Sequence, residues 1–435
     1  MYKRQGIYGG ERRFGKALRE IRKLRLAVRG EIHVGLPLYA AEEIALGLPV
    51  ADKEYLGHVL PLLRKWGIIF IPCKYTTVRP CGARQQAAEF VRGHGRAAVK
   101  TVHLISGGDA GGARTHVLRL LGELNKTGEA HLLTLGGGVL ADDARERGIP
   151  CETLTGSFPA QLRAAKRYIR SGGFDLVRCH GSRANLTAAL LRPSLGVPVV
   201  STIHSDHRLD YLHRPAARLV YGTLNALALR KMDALVCVSG AMREKYAARN
   251  FRRGRLFSVY NGADMEAPRS KMRREDFLAA HGIPAAPGDI LAGTAARFDA
   301  VKDLSTMLRG FAAAAKEEPQ LRLILAGAGA EEEMLRALAK ELGVSDRVHF
   351  TGWLDDTEAL YASLDICLLT SLSETFPYAL TDAAKYRVPV IATAVGGVPE
   401  LVENGVHGLL IAPGDTAALA SDIFCLLYTS PSPRD

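Results

Sequence analysis

The sequence predicts an α/β protein, with two Rossmann-like parallel-sheet domains facing across a cleft and a basic N-terminal extension of unassigned role. Three observations predict it. From Lys100 onward, short runs rich in β-branched and apolar residues alternate with amphipathic stretches, the pattern of parallel strands covered by helices on both faces. The alternation is interrupted once, by a charged stretch from Pro268 to Pro287 that reads as a helix with a proline-rich exit, and so as a linker. The chain's 435 residues, 47% of them hydrophobic, suffice for two separate cores.

Residues 1–98 fit neither unit. Leu24 to Gly30 and Glu42 to Trp66 suggest helices and GIIFIP one strand, but no motif marks them. The expected first domain, 99–270, carries the strand runs TVHLI, HLLTL, DLVRC, PVVSTI and ALVCV. The second, 271–425, carries ILAGTA, LRLILA, RVHF, DICLLT and PVIATA. The end segments MYKRQ (1–5) and LLYTSPSPRD (426–435) resemble translated sequencing adapter, which predicts that the natural reading frame continues past both.

Composition narrows the classes. No run approaches the roughly 18 to 20 apolar residues of a membrane-spanning helix, and the basic N-terminus lacks the apolar core of a secretory signal; a cytosolic protein is expected. The seven cysteines, at 73, 81, 151, 179, 237, 367 and 425, form no C-x-x-C pair. Three sit in strand-like runs, so a reduced, structural role is expected and no zinc site. Nearly all of the net charge of +12 lies in residues 1–100, with 19 Lys and Arg against 8 Asp and Glu. A solvated basic helix is the plainest reading of that excess. Contact with an anionic membrane surface is the next, and nucleic acid the weakest, because aromatics are not interleaved for base stacking.

Four segments carry candidate chemistry. The loop SGGDAGGARTH follows the strand ending at Ile105 and opens a helix over about Ala113 to Asn125; Gly111 and Gly112 let backbone amides approach an anion there. Its spacing is not G-x-G-x-x-G and no acid closes the next strand, so a dinucleotide oxidoreductase is disfavoured, and a plain tight turn explains the glycines as well as a phosphate does. His204 stands just past the strand PVVSTI, where a histidine can donate to a sugar hydroxyl or simply cap a strand. Arg297 and Lys302, on the loop after ILAGTA, suit a diphosphate or are an exposed basic pair. In SETFPYALTD, Glu374 and Asp382 lie eight residues apart around a helix expected to start near Phe376, so that both carboxylates can face one cleft. The amides from Thr375 to Tyr378 are further candidate phosphate donors.

Through these segments the span from about Val102 to Ala420 resembles glycosyltransferase family 4, retaining enzymes of bacterial cell-envelope type with a two-domain GT-B architecture. The resemblance implies that Gly111 and Gly112 line the cleft and His204 contacts the donor sugar. It places the diphosphate on Arg297 and Lys302, and the nucleotide base beside Phe350 to Trp353, Gly352 included. It assigns Glu374 to the sugar and Asp382 to the ribose, with Thr375 and Phe376 beside them. The departures are Asp at 382 where Glu is usual, Pro377 where Gly is common, and Arg114 where an acid often follows Gly-Gly-Ala. A helix that returns to the first domain would have to begin in the adapter-like tail.

The resemblance further implies same-face attack with the leaving phosphate taking the acceptor's proton, since no carboxylate pair suggests a double displacement. No Asp-x-Asp occurs in the chain, and neither metal nor cofactor is expected. The implied partners are a uridine or guanosine diphosphate sugar and a glycan or lipid-linked acceptor. A nucleotide-sugar epimerase on the same fold, and an inactive fragment that binds membranes or anions, are the alternatives.

Overall fold

A computed structural model describes residues 99–109, 111–206, 215–265, 270–354 and 356–429. The basic extension, 1–98, lies outside the described residues, as do both readings made of it. Two parallel sheets with helices on both faces organise what is described.

The first sheet has seven strands: β1 (Lys100–Ser106), β2 (Glu129–Leu135), β3 (Cys151–Leu154), β4 (Leu176–His180), β5 (Val199–Ile203), β6 (Ala234–Cys237) and β7 (Leu256–Ser258). Their order across the sheet is β3-β2-β1-β4-β5-β6-β7. The helices between them are α1 (Gly112–Leu124), α2 (Val139–Glu146), α3 (Phe158–Ser171), α4 (Ser182–Leu191), α5 (Pro215–Arg230) and α6 (Gly240–Ala248). Helix α7 (Arg274–Ala280) follows in the charged linker, as its sequence predicts.

The second sheet has six strands: β8 (Ile290–Ala295), β9 (Leu321–Ala326), β10 (Val348–Gly352), β11 (Ile366–Leu369), β12 (Val390–Thr393) and β13 (Gly408–Ile411), in the order β10-β9-β8-β11-β12-β13. Its helices are α8 (Leu304–Glu317), α9 (Glu332–Glu341), α10 (Thr357–Ser363), α11 (Tyr378–Lys385), α12 (Val398–Leu401) and α13 (Thr416–Thr429).

All ten strands expected in the two domains form. The three missed by the sequence reading, β3, β7 and β13, are edge strands of only three or four residues, mostly half-buried, too short to show the extended apolar run of a central strand. Strands such as β5 are buried along their whole length because helices cover both faces. Each sheet has a core on either side, centred on residues such as Leu104, Val177 and Tyr246 in one domain and Phe311, Leu323 and Ile391 in the other. Truncating Phe311, fully buried, would cost about 3–5 kcal/mol. Cys179, Cys237 and Cys367 are buried within strands and free. Leu426 and Leu427, the first residues of the adapter-like tail, pack as part of α13 against the second core.

Strand order reverses between β1 and β4 in the first sheet and between β8 and β11 in the second. The two loops that diverge at such a point leave a crevice beyond the carboxyl ends of the strands. β1 ends in the glycine-rich loop, β8 in the Arg297–Lys302 loop, and β11 in the loop that carries Glu374. Gly111, Gly112, Arg297, Lys302 and Glu374 therefore collect at the two switch points, while His204 follows β5 and Phe350 lies in the edge strand β10.

Candidate active site

The glycine-rich loop divides into two functions. A Cβ on Gly107 would lie 2.0 Å from the carbonyl oxygen of Gly136, so Gly107 is there for packing, whereas nothing lies within 4 Å of one built on Gly112. Gly111 caps α1 and the first turn of α1 holds no acid, but the Gly111 amide already donates to Asp109 Oδ1 at 3.1 Å and the Arg114 amide to the Gly111 carbonyl at 3.0 Å; the amides of Gly112 and Ala113 are the ones left to meet an anion. A Cβ on Gly111 would come 3.9 Å from Arg297 Nε, so Arg297 of the second domain reaches over the glycine-rich loop of the first. The Arg297 side chain is 61% exposed and, among the described residues, pairs with Asp299 at 3.0 Å.

Lys302 is held more firmly. Its Nζ donates to Glu374 Oε1 at 2.6 Å, and Ser371 Oγ donates to the same oxygen at 2.7 Å. The Thr370 hydroxyl reaches the carbonyls of Lys302 and Asp303 at 3.1 and 2.9 Å, and Leu372 N donates to Val301 O at 2.7 Å. These bonds stitch the loop after β8 to the loop after β11, so the lysine and the glutamate move as one unit. Gly396 and Gly397 press on that unit from behind: Cβ atoms there would lie 1.7 Å from Glu374 O and 2.0 Å from Thr375 O, and Gly396 sits at φ +54°.

Thr375 Oγ1 donates to the main-chain carbonyl of His204 at 2.7 Å, which joins the two domains beside the site. Phe376 is buried and packs on Tyr260, ring centroids 5.3 Å apart, while its carbonyl accepts from Asn261 Nδ2 at 3.1 Å. The side chain thus belongs to the domain contact rather than to the open cleft. The helix expected near Phe376 begins at Tyr378 with Pro377 as its cap, which places Asp382 one turn inside it instead of two. Asp382 is nearly buried, and Arg119 of α1 donates to its Oδ1 at 3.3 Å. Burial pushes the Asp382 carboxyl pKa up, and Arg119 partly offsets this. Phe350 is half-buried, edge-on to Phe298 and under the guanidinium of Arg336 at 4.3 Å. Gly352, at φ +71°, turns the chain toward Trp353, which is 48% exposed with Arg114 of α1 at 6.0 Å from its ring.

Sequence reasoning passed over a cluster of histidines. His103 on β1, His180 at the end of β4 and His204 after β5 form a line: His103 Nδ1 lies 3.1 Å from His180 Nε2, and His180 Nδ1 lies 2.8 Å from His204 Nε2. His116 of α1 meets His204 edge-on at 4.7 Å between centroids. Burial pushes all four pKa values down, that of His204 to about 3, and the Arg178 guanidinium adds to the effect. All four rings are therefore neutral near pH 7. Ligand nitrogens of His116, His180 and His204 fall within 4.8 Å of one another, a donor set a transition metal can use. His180 Nδ1 and His204 Nε2, however, already share a hydrogen at 2.8 Å, and the half-buried Arg178 guanidinium opposes a dication. Hydrogen bonding organises the cluster. The signal that finds His180 is the one that found His204, a polar residue just where a buried strand ends.

A model of the family described as Glycosyltransferase Family 4 matches residues 110–267, and one described as Glycosyl transferases group 1 matches 290–428. The chain belongs to glycosyltransferase family 4. The two matches meet the two sheets, with the linker between them.

Among curated relatives, this glycosyltransferase is 26% identical over 360 residues to D-inositol 3-phosphate glycosyltransferase of Mycolicibacterium smegmatis, covering 75% of this chain and 80% of that protein. It is 37% identical over 130 residues to N-acetyl-alpha-D-glucosaminyl L-malate synthase of Bacillus anthracis, but that match covers only 30% of this chain and 34% of the synthase. Among solved structures, Anabaena HepE in complex with UDP-glucose superposes with a TM-score of 0.66 at 22% identity, covering 76% of this chain and 90% of that one. Sucrose-phosphate synthase of Thermosynechococcus elongatus superposes with a TM-score of 0.62 at 22% identity, covering 77% and 90%. These likenesses establish the GT-B fold. Among the described residues, no helix is long and apolar enough to cross a membrane.

Proposed function

We propose that this glycosyltransferase moves a sugar from a uridine diphosphate donor to a hydroxyl of a glycan or lipid-linked cell-envelope acceptor, with retention at the anomeric carbon and without a required metal. The observation that carries this reading is the placement of Arg297 over Gly111, with the Lys302–Glu374 pair on the loop beside it. The base is chosen as uridine by analogy with Anabaena HepE, whose structures hold UDP and UDP-glucose.

In the proposed reaction the bond from the anomeric carbon to the diphosphate breaks, and its electron pair stays on the phosphate oxygen. The acceptor oxygen bonds to the same face of that carbon, and its proton passes to the departing phosphate. Charge grows on the diphosphate as this happens, and preorganised cations stabilise it far more effectively in a shielded cleft than in water. Arg297, Lys302 and the amides of Gly112 and Ala113 at the start of α1 are those groups. Glu374, already positioned by Lys302 and Ser371, accepts from donor-sugar hydroxyls, and His204 meets the same sugar from the opposite domain. Asp382 takes the ribose diol after exchanging its bond to Arg119, and Phe350 and Trp353 border the base.

Calorimetric titration of UDP and GDP into the full chain tests the donor. UDP binding that is lost in Arg297→Ala is the expected result, and UDP release from UDP-glucose that depends on added acceptor would separate transfer from epimerisation. Failure of both nucleotides to bind the folded protein would overturn the reading.

A further inference from the structure

We propose that His180 is a positioning residue that fixes the tautomer of His204, and so decides whether His204 offers the donor sugar a hydrogen or a lone pair. The functional half of this inference rests on His204 meeting that sugar.

Sheet register creates the arrangement. His103 of β1 is the lateral partner of Arg178 in β4, and His180 is the partner of Thr202 in β5. Side chains two apart on a strand share a face, so Arg178 and His180 project with Thr202 and His204 from one side of the sheet. The strands run toward the cleft. Arg178, whose Nε donates to Thr202 Oγ1 at 2.7 Å, thus lies at the level of His103, and the line from His103 through His180 to His204 climbs from that cation to the cleft.

A neutral imidazole carries one N–H and one bare nitrogen. His180 uses both nitrogens, one toward each neighbour, so the two bonds must point the same way along the line. If the hydrogens run outward, His103 donates to His180, His180 donates to His204 Nε2, and the N–H of His204 is left at Nδ1. If they run inward, His204 Nε2 donates to His180 and its Nδ1 is bare. The rings lie edge to edge in near-parallel planes, 16° and 24° apart with centroids 5.4 and 5.1 Å apart, the alignment that in-plane N–H···N bonds need.

The outward direction is favoured by the field of Arg178, which draws lone-pair ends toward the inner end of the line. His116 closes the other side. Asn261 gives its Nδ2 to the Phe376 carbonyl, so its Oδ1 faces His116 Nδ1 at 2.9 Å and holds the hydrogen there. His116 Nε2 is left a buried lone pair with no partner among the described residues, beside His204. His116 therefore has no hydrogen to lend from that nitrogen, and His180 is left to set the state of His204.

The test uses two substitutions that differ in which bond they keep. His180→Asn places an amide near the position of Nδ1 and preserves contact with His204, whereas His180→Gln places it near Nε2 and preserves contact with His103 only. Nitrogen resonances of 15N-histidine-labelled full chain, with His204 assigned by its own substitution, report the tautomer without any ligand. The expected result is one tautomer with the hydrogen on Nδ1 in the parent and in His180→Asn, and a mixture in His180→Gln. UDP-glucose affinity should fall several-fold in His180→Gln while UDP affinity holds. Unchanged His204 resonances in His180→Gln, or equal effects of the two substitutions, would overturn the proposal. If UDP and UDP-glucose both fail to bind the parent protein, the donor assignment fails, while the resonances still decide the coupling of His180 to His204.

Discussion

Thr375 Oγ1 donates to the carbonyl oxygen of His204 at 2.7 Å, and through that bond the loop that follows β11 in one domain is tied to the loop that follows β5 in the other. Each residue is unremarkable within its own domain. Their meeting joins the two separate sheets beside the candidate site.

Arg297 and Lys302 should fail differently. Arg297 is mostly exposed, so Arg297→Ala should change stability by no more than about 0.5 kcal/mol while reducing nucleotide-diphosphate affinity at least tenfold. Lys302→Ala leaves the nearly buried Glu374 without its cation, which typically costs about 3–5 kcal/mol. Urea unfolding and calorimetry on the same two proteins would show the contrast; equal loss of stability in both would contradict it.

Gly396→Ala should be severe and Gly112→Ala mild. A methyl at 396 meets the Glu374 carbonyl at 1.7 Å in a left-handed conformation, whereas one at 112 meets nothing. Displacement of Glu374 is expected to abolish transfer even where Gly396→Ala folds. Gly112→Ala should keep the fold, with a gain of about 0.4–1 kcal/mol from reduced unfolded-state freedom. Thermal unfolding together with UDP release measures both.

Stability should fall as pH drops below about 6.5. The unfolded chain then protonates His103, His116, His180 and His204, while the folded protein keeps them neutral because burial pushes their pKa values down. The unfolded state therefore binds more protons, and each such ring removes about 1.4 kcal/mol per pH unit until pH reaches its folded pKa, about 3 for His204. Denaturant midpoints between pH 7 and pH 5 should show the slope, and His116→Gln should reduce it by about one proton. A flat profile over that range would rule out the neutral cluster.

Glu400→Gln should loosen the domains. Glu400 of the second domain accepts from the amides of Gly240 and Ala241 at 2.9 and 2.7 Å, at the start of α6 in the first, and from Tyr260 Oη at 2.8 Å. A neutral amide loses the charge that favours a helix start, worth about 0.3–1 kcal/mol, and its NH2 replaces one of the two acceptor oxygens, so at least one of these donors also loses its partner. Small-angle scattering should register a larger mean dimension for the variant in the absence of nucleotide, with no change in circular dichroism.

Much of this protein was legible in its sequence, because strands buried on both faces must be apolar throughout and the loops after them must hold what binds. That reasoning located ten strands, the linker helix, and the loops bearing His204, Arg297, Lys302 and Glu374. The edge strands β3, β7 and β13 escaped it, since runs of three or four residues are too short to show a pattern. Which residues touch was not legible, because the contacts join positions far apart in the chain: Lys302 with Glu374, Arg119 with Asp382, Thr375 with His204. The line of His103, His180 and His204 exists only through strand order and register, which place β1, β4 and β5 side by side although β2 and β3 intervene in sequence. Residue types set what chemistry was available, and packing of the two sheets decided which of those residues share a proton or a charge.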